Sequence, residues 1–307
     1  MPVESPPAVP TLVELRPTAA AATPASDESA VIIEPSRGWA LFDWTELVHY
    51  KDLLRFLVWR DVKTLYSQTV MGFAWAVIRP LFSMVVFTVV FGSLAKVPSD
   101  GVPYALFSFV GLLPWTYYST ALTASANSLV TNTQMLTKVY FPRVIIPLTP
   151  VLAGLVDYFV AALFLVGLMA WYHVAPRASL VWSPVLLLLM VVTALGAGLW
   201  LSALAIQYRD VKHAIAFISQ LMMYATPVVW PASLINRKLP ATAGIVRPIY
   251  GFFVPMAGVI EGFRASLLGT GPMPWDLIVP GWIGALLVLL TGMLYFRRRE
   301  RLFADVA

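Results

Sequence analysis

The hexapeptide KVYFPR, Lys138 to Arg143, sets two cations, two aromatic rings and a proline between long apolar runs. Such a set suits docking to a partner outside the membrane. Tyr140 and Phe141 offer apolar anchors, Lys138 and Arg143 offer charge, and Pro142 stiffens the backbone. The competing use is a cationic anchor at a lipid headgroup boundary. Within the apolar runs ionisable groups are few: Asp157 sits near the middle of one run and Arg79 about two turns into another, where a lone charge is costly. They either pair across helices, or Arg79 meets an anionic headgroup or a pyrophosphate. Glu261 and Arg264, three residues apart, share a helical face and form either a structural ion pair or an outer gate.

Other chemistry is missing. No GxxxxGK[ST] loop is present, so the chain does not hold ATP in the usual manner, and any energy must come from elsewhere. There is no paired-carboxylate, Ser/His/Asp or metal-ligand cluster to carry catalysis. Cysteine is absent, and the three histidines, His49, His173 and His213, are isolated, which argues against a metal centre. No nucleic-acid partner is expected.

The elements that position these residues follow from composition: 59% of the 307 residues are hydrophobic and 12% charged, far from a soluble chain. Repeated apolar runs of about 20 residues match a hydrocarbon core. The predicted fold is therefore an all-α polytopic membrane protein. Residues 1–36, rich in Pro, Ala, Ser and Glu, read as a disordered cytoplasmic tail. Residues 37–71 turn amphipathic, with Trp44, Leu47, Leu54, Leu57 and Val58 among Lys51, Arg55, Arg60 and Lys63, as in a helix lying in the headgroup plane. Residues 72–307 form the membrane domain, with six spans near 73–94, 104–125, 144–172, 181–205, 211–230 and 277–296.

Six spans bring both termini to one side. Fourteen lysines and arginines fall on that side and six on the other, so both termini are expected in the cytoplasm. The connection 231–276 is too apolar for an exposed loop and too interrupted by glycine and Pro255 for full spans. Short helices dipping into the membrane from outside are predicted there.

Five stretches together resemble one family: WRDVKTLYSQTVMGFAWAVIRP from Trp59 to Pro80, KVYFPR, YRD from Tyr208 to Asp210, TPVVWP from Thr226 to Pro231, and PMAGVIEGFR from Pro255 to Arg264. In order and spacing, over about residues 37–307, they are similar to the ABC-2 type permeases that export polysaccharides, most of all the Wzm-like subunits that move O-antigen or related glycans.

The resemblance implies a homodimer of permeases in the bacterial inner membrane, docked to two copies of a separate ATPase subunit that binds ATP and Mg; no cofactor is expected in this chain. It also implies that Lys138, Tyr140, Phe141, Pro142 and Arg143 form the ATPase-coupling contact, with Tyr208, Arg209 and Asp210 beside it. Its implied substrate is a glycan on undecaprenyl diphosphate, for which aromatic rings stack on sugar faces and cations meet pyrophosphate. Trp75, Arg79, Trp115, Tyr117 and Tyr118 are the candidates for that path. The family pattern has glutamine where this chain has Arg79. A membrane-embedded acyl- or glycosyltransferase is the rival class, disfavoured by the isolated histidines; within transporters the rival is an exporter of a non-glycan lipid or drug.

Overall fold

The computed structural model describes residues 44–67, 72, 74–138, 141–208 and 210–300, which form helices and no strand. The predicted tail, the two ends of the 37–71 region, Tyr140 and Arg209 lie outside the described residues, and of Lys138 the backbone alone is described. The helices are α1 (Trp44–His49), α2 (Lys51–Tyr66), α3 (Ala74–Phe87), α4 (Tyr104–Thr131), α5 (Thr133–Lys138), α6 (Ile145–Trp171), α7 (Ser183–Ala205), α8 (Val211–Ala225), α9 (Ser233–Lys238), α10 (Ala243–Phe253), α11 (Pro255–Phe263) and α12 (Trp275–Glu300).

Four predicted spans coincide with helical stretches long and apolar enough to cross a membrane: Ala74–Leu94 (α3 with a π-helical extension), Ile145–Trp171, Ala178–Ala205 and Trp275–Glu300. The second predicted span is α4. Its 28 residues exceed what a bilayer requires, but regularly spaced Ser, Thr and Asn make it less apolar than the others. The fifth differs more from expectation, because α8 stops at Ala225 after 15 residues. At 1.5 Å per residue that is about 22 Å, short of the roughly 30 Å hydrocarbon core. Pro227 explains the stop: the residue before a proline is driven out of the helical region, and Thr226 is extended at φ −86°, ψ 147°.

The connection 231–276 holds the predicted short helices. Ala243–Phe253 and Pro255–Leu268 meet at a bend of 106° and together are apolar enough for a re-entrant hairpin or a broken span. The 37–71 region is less continuous than expected, since Tyr50 breaks it into α1 and α2.

The centre of the fold is α4, which packs against α3, α6, α7 and α11. Between apolar helices in lipid, close packing supplies the cohesion that water supplies elsewhere. Hence α7 and α12 touch at backbone distance: a Cβ on Gly196 would lie 2.8 Å from the Leu289 nitrogen, and one on Gly292 2.7 Å from the Gly196 oxygen. A second cluster gathers Leu57 of α2, Leu129 of α4, Phe141, Ile145 of α6, Leu199 of α7 and Phe296 of α12. It marks the terminal end of the molecule. The loop end, opposite, carries Asp100, α9 and the α10–α11 bend.

Candidate functional site

At the terminal end, the predicted docking segment is anchored to its own chain. Phe141 is 5% exposed, packed in the cluster with Leu57 and Phe296. Arg143 donates through Nη1 to the backbone oxygen of Glu300, one of the carbonyls that the end of α12 leaves without a helical partner. The Phe141 ring therefore packs into its own chain and the half-buried Arg143 is tied to the end of α12, so the two side chains brace the turn between α5 and α6. Pro142 is half-buried beside them. Tyr208, 59% exposed, and exposed Asp210 sit where α7 ends and α8 begins, so they are free to meet a partner.

Between α2, α3, α4 and α6 runs a groove. Its terminal part, about 590 Å³, is lined by Arg60, Asp61, Asn127, Asn132 and Met135, and it continues into a deeper part of about 200 Å³ lined by Trp75, Leu113, Tyr117 and Tyr158. Arg79, Asp157, Thr120, Gly154 and Leu65 border both parts. Arg79 and Asp157 thus face one space, yet among the described residues no ion pair joins them. Asp157 instead accepts a hydrogen bond from the Tyr66 hydroxyl at the end of α2, while the exposed Arg79 guanidinium lies 5.9 Å from the centre of the Trp75 ring. Arg60 of α2 adds a second tie, donating to Asn132 Oδ1 at 3.3 Å. Replacing Tyr66 by Phe removes the donor to a half-buried carboxylate and is expected to lower stability by about 1–3 kcal/mol, readable as an earlier thermal unfolding in detergent.

The three aromatic residues predicted on α4 do not form one wall. Residues two apart on a helix point to opposite sides. Tyr117 faces the groove just described, donates to the Val151 oxygen at 2.9 Å and meets the Tyr158 ring edge-on. Trp115 looks the other way, into a groove of about 510 Å³ between α4 and α8, and the half-buried Tyr118 packs on it at 5.5 Å.

That α4–α8 groove carries residues that reading by motif missed. Ser119, Thr120, Thr123 and Asn127 of α4 face Ser219 and Gln220 of α8. Thr116 and Thr131 extend the row at spacings of three and four, the pitch of one helical face. Four side chains of the row turn a proton back to their own helix: Ser119 to Thr116 O at 3.2 Å, Thr123 to Ser119 O at 2.8 Å, Asn127 Nδ2 to Thr123 O at 2.9 Å, Thr131 to Asn127 O at 2.9 Å. With the donors used, the oxygens remain as acceptors, and Asn127 Oδ1 is buried with no partner. The face is uncharged, lies within the membrane domain and accepts hydrogen bonds. It suits water and hydroxyl groups better than ions.

At the loop end Glu261 and Arg264 do pair, with Nη1 to Oε1 at 2.8 Å. Arg264 is fully buried, and Glu261 also accepts from the Ala232 amide at 3.1 Å. The pair belongs to a wider network in which Arg247 bonds Asp276 and Arg237 bonds Asp100 at 3.0 Å.

Known proteins match this sequence over most of its length. The chain is 31% identical over 261 residues to the O-antigen export system permease protein RfbA of Myxococcus xanthus, covering 85% of this chain and 97% of that one. It is 25% identical over 256 residues to the protein of the same name from Klebsiella pneumoniae, covering 83% and 95%. Residues 52–268 match the model of the ABC-2 type transporter family, a stretch that takes in α2 from its second residue, the α4 row and the loop-end hairpin; this multi-pass membrane chain belongs to that family.

Proposed function

We propose that this chain is the membrane-spanning subunit of an ATP-driven exporter that carries a lipid-linked glycan of the O-antigen type across the bacterial inner membrane. The observation that carries this reading is the uncharged row of hydrogen-bond acceptors on α4 opposite Ser219 and Gln220. Sugar hydroxyls are donors that such a row can take one after another, and Trp115 beside it offers a ring on which a sugar face can stack. Curated relatives named as O-antigen export permeases support the same substrate class.

On this reading the terminal end is cytoplasmic and residues 231–276 form the outer gate segment of a membrane domain at 72–307, preceded by an interface region at 37–71. The half-channel on α4 and α8 is completed by a second copy of the chain. ATP and Mg belong to two copies of a separate ATPase, which meets Tyr208 and Asp210 at the start of α8 and the α5–α6 turn braced by Phe141 and Arg143. Arg79, which pairs with no carboxylate among the described residues, borders the groove beside α2 and is assigned to the lipid diphosphate.

Co-purification with a candidate ABC ATPase subunit, followed by identification of the lipid that travels with the complex, tests the reading. A glycan-bearing lipid that also stimulates ATP hydrolysis is the expected result. A stable complex stimulated instead by a sugar-free lipid or a drug transfers the assignment to the rival exporter class, and failure to form a complex removes it. Arg79→Gln is expected to weaken glycolipid stimulation by about tenfold, as loss of a charge-assisted pair of roughly 1.5–3 kcal/mol would; unchanged stimulation and export would remove Arg79 from the site.

A further inference from the structure

The stretch between α8 and α9 is non-helical but not loose. From Tyr224 to Trp230 seven consecutive backbone oxygens each accept a hydrogen bond. Trp230 Nε1 reaches Tyr224 at 3.1 Å, the Tyr250 hydroxyl Ala225 at 2.6 Å, and the Val228 amide Thr226 at 2.7 Å. Arg264 then supplies Pro227 through Nη1 and Val228 through Nη2, both at 2.6 Å, the Tyr104 hydroxyl takes Val229 at 2.6 Å, and Arg264 Nη1 also lies 3.4 Å from the Trp230 oxygen. Irregular backbone survives at membrane depth only when its polar groups are satisfied within the protein, and here three separate elements do so.

Arg264 is the hub. Its guanidinium stacks 3.5 Å from the centre of the Phe107 ring on α4 and is neutralised by Glu261. Gly111 makes the space for it, because a Cβ there would lie 2.6 Å from Nη2. A planar fork can hold the adjacent carbonyls of Pro227 and Val228 at once, which a lysine ammonium cannot do in the same geometry.

The body of α8 is held quite differently. Of its 15 residues Ile215 alone is buried, and its first residues follow directly on Tyr208 and Asp210. One end is clamped, while among the described residues the start of the helix is largely exposed.

Building on the export reading, we propose that Arg264 is a positioning residue of the export cycle: it pins the 226–230 joint, so that a push at the start of α8 turns the helix about that joint and moves Ser219 and Gln220 relative to the α4 row. A rigid helix on a fixed end transmits displacement, whereas one on a loose end dissipates it.

The test uses the full complex with its ATPase in proteoliposomes, comparing wild type with Arg264→Lys, Arg264→Met and Gly111→Ala, the last of which displaces the guanidinium while keeping its charge. Complex yield, ATP hydrolysis and glycolipid export are measured on each. The expected result, for every variant that assembles, is hydrolysis within about twofold of wild type and export per ATP reduced by about tenfold or more. Export and hydrolysis falling in parallel with yield, or export per ATP unchanged in Gly111→Ala or Arg264→Lys, would overturn the proposal and leave Arg264 a purely structural group. Failure of the wild-type complex itself to export glycolipid would instead remove the export reading on which the proposal rests.

Discussion

Replacing Thr123 and Asn127 together by leucine is expected to stop glycan export while leaving the chain inserted and bound to its ATPase. Both side chains bond only within their own helix and face the α4–α8 groove, and leucine is at least as good a helix former as either. Folding should therefore gain slightly. Export should lose at least about tenfold, because a sugar hydroxyl forced past an apolar wall forfeits its acceptor at about 1–3 kcal/mol per unpaired group. The check is export by the reconstituted complex beside its basal ATP hydrolysis. Retained export would mean that this row is not the path.

The second large effect lies at the loop end. Glu261→Gln leaves the guanidinium of Arg264, with no exposed surface, without its counter-charge. Breaking a buried pair from one side costs about 3–5 kcal/mol, more than the pair contributes when intact, because the remaining charge is stranded. The Ala232 amide keeps an acceptor in the glutamine oxygen, so the loss falls on Arg264 and on the 226–230 joint it holds. The expected outcome is a marked fall in thermal stability in detergent. Because Arg247, Asp276, Arg237 and Asp100 join the same end of the molecule, the early unfolding should begin at α9 and α10, where amide hydrogen exchange would rise first. A wild-type unfolding curve for Glu261→Gln would mean that the backbone carbonyls alone neutralise the cation.

What the sequence makes legible here is governed by periodicity. Four spans and the interrupted hairpin at 243–268 follow from the length of apolar runs and from glycine and Pro255, and the structure carries helices at those places. The early stop of α8 was also written in the chain, in the Thr226–Pro227 pair, but uniform hydropathy through Val229 and Trp230 conceals it. The α4 row is harder to see because small hydroxyl residues barely lower a window mean, and only their spacing of three and four reveals a face.

Pairings are harder still. The partners of Arg264 are mostly backbone oxygens more than thirty residues away, and carbonyls have no sequence signature. Asp157 and Arg79 invited each other by scarcity, yet a tyrosine hydroxyl on α2 took the carboxylate. KVYFPR was legible as an interruption in the membrane pattern; that Phe141 packs into its own chain and Arg143 is tied to it depends on Leu57 of α2 and on Phe296 and Glu300 of α12.

Each of these expectations depends on the chain being a conduit driven from outside itself. The most direct measurement is transfer of lipid-linked glycan across proteoliposomes holding this chain and its ATPase, read by the susceptibility of the glycan to a glycosidase sealed inside. The glycan is expected to become susceptible only with the ATPase present and ATP hydrolysed. Glycan that stays protected under those conditions, or that crosses equally well without ATP, would contradict it.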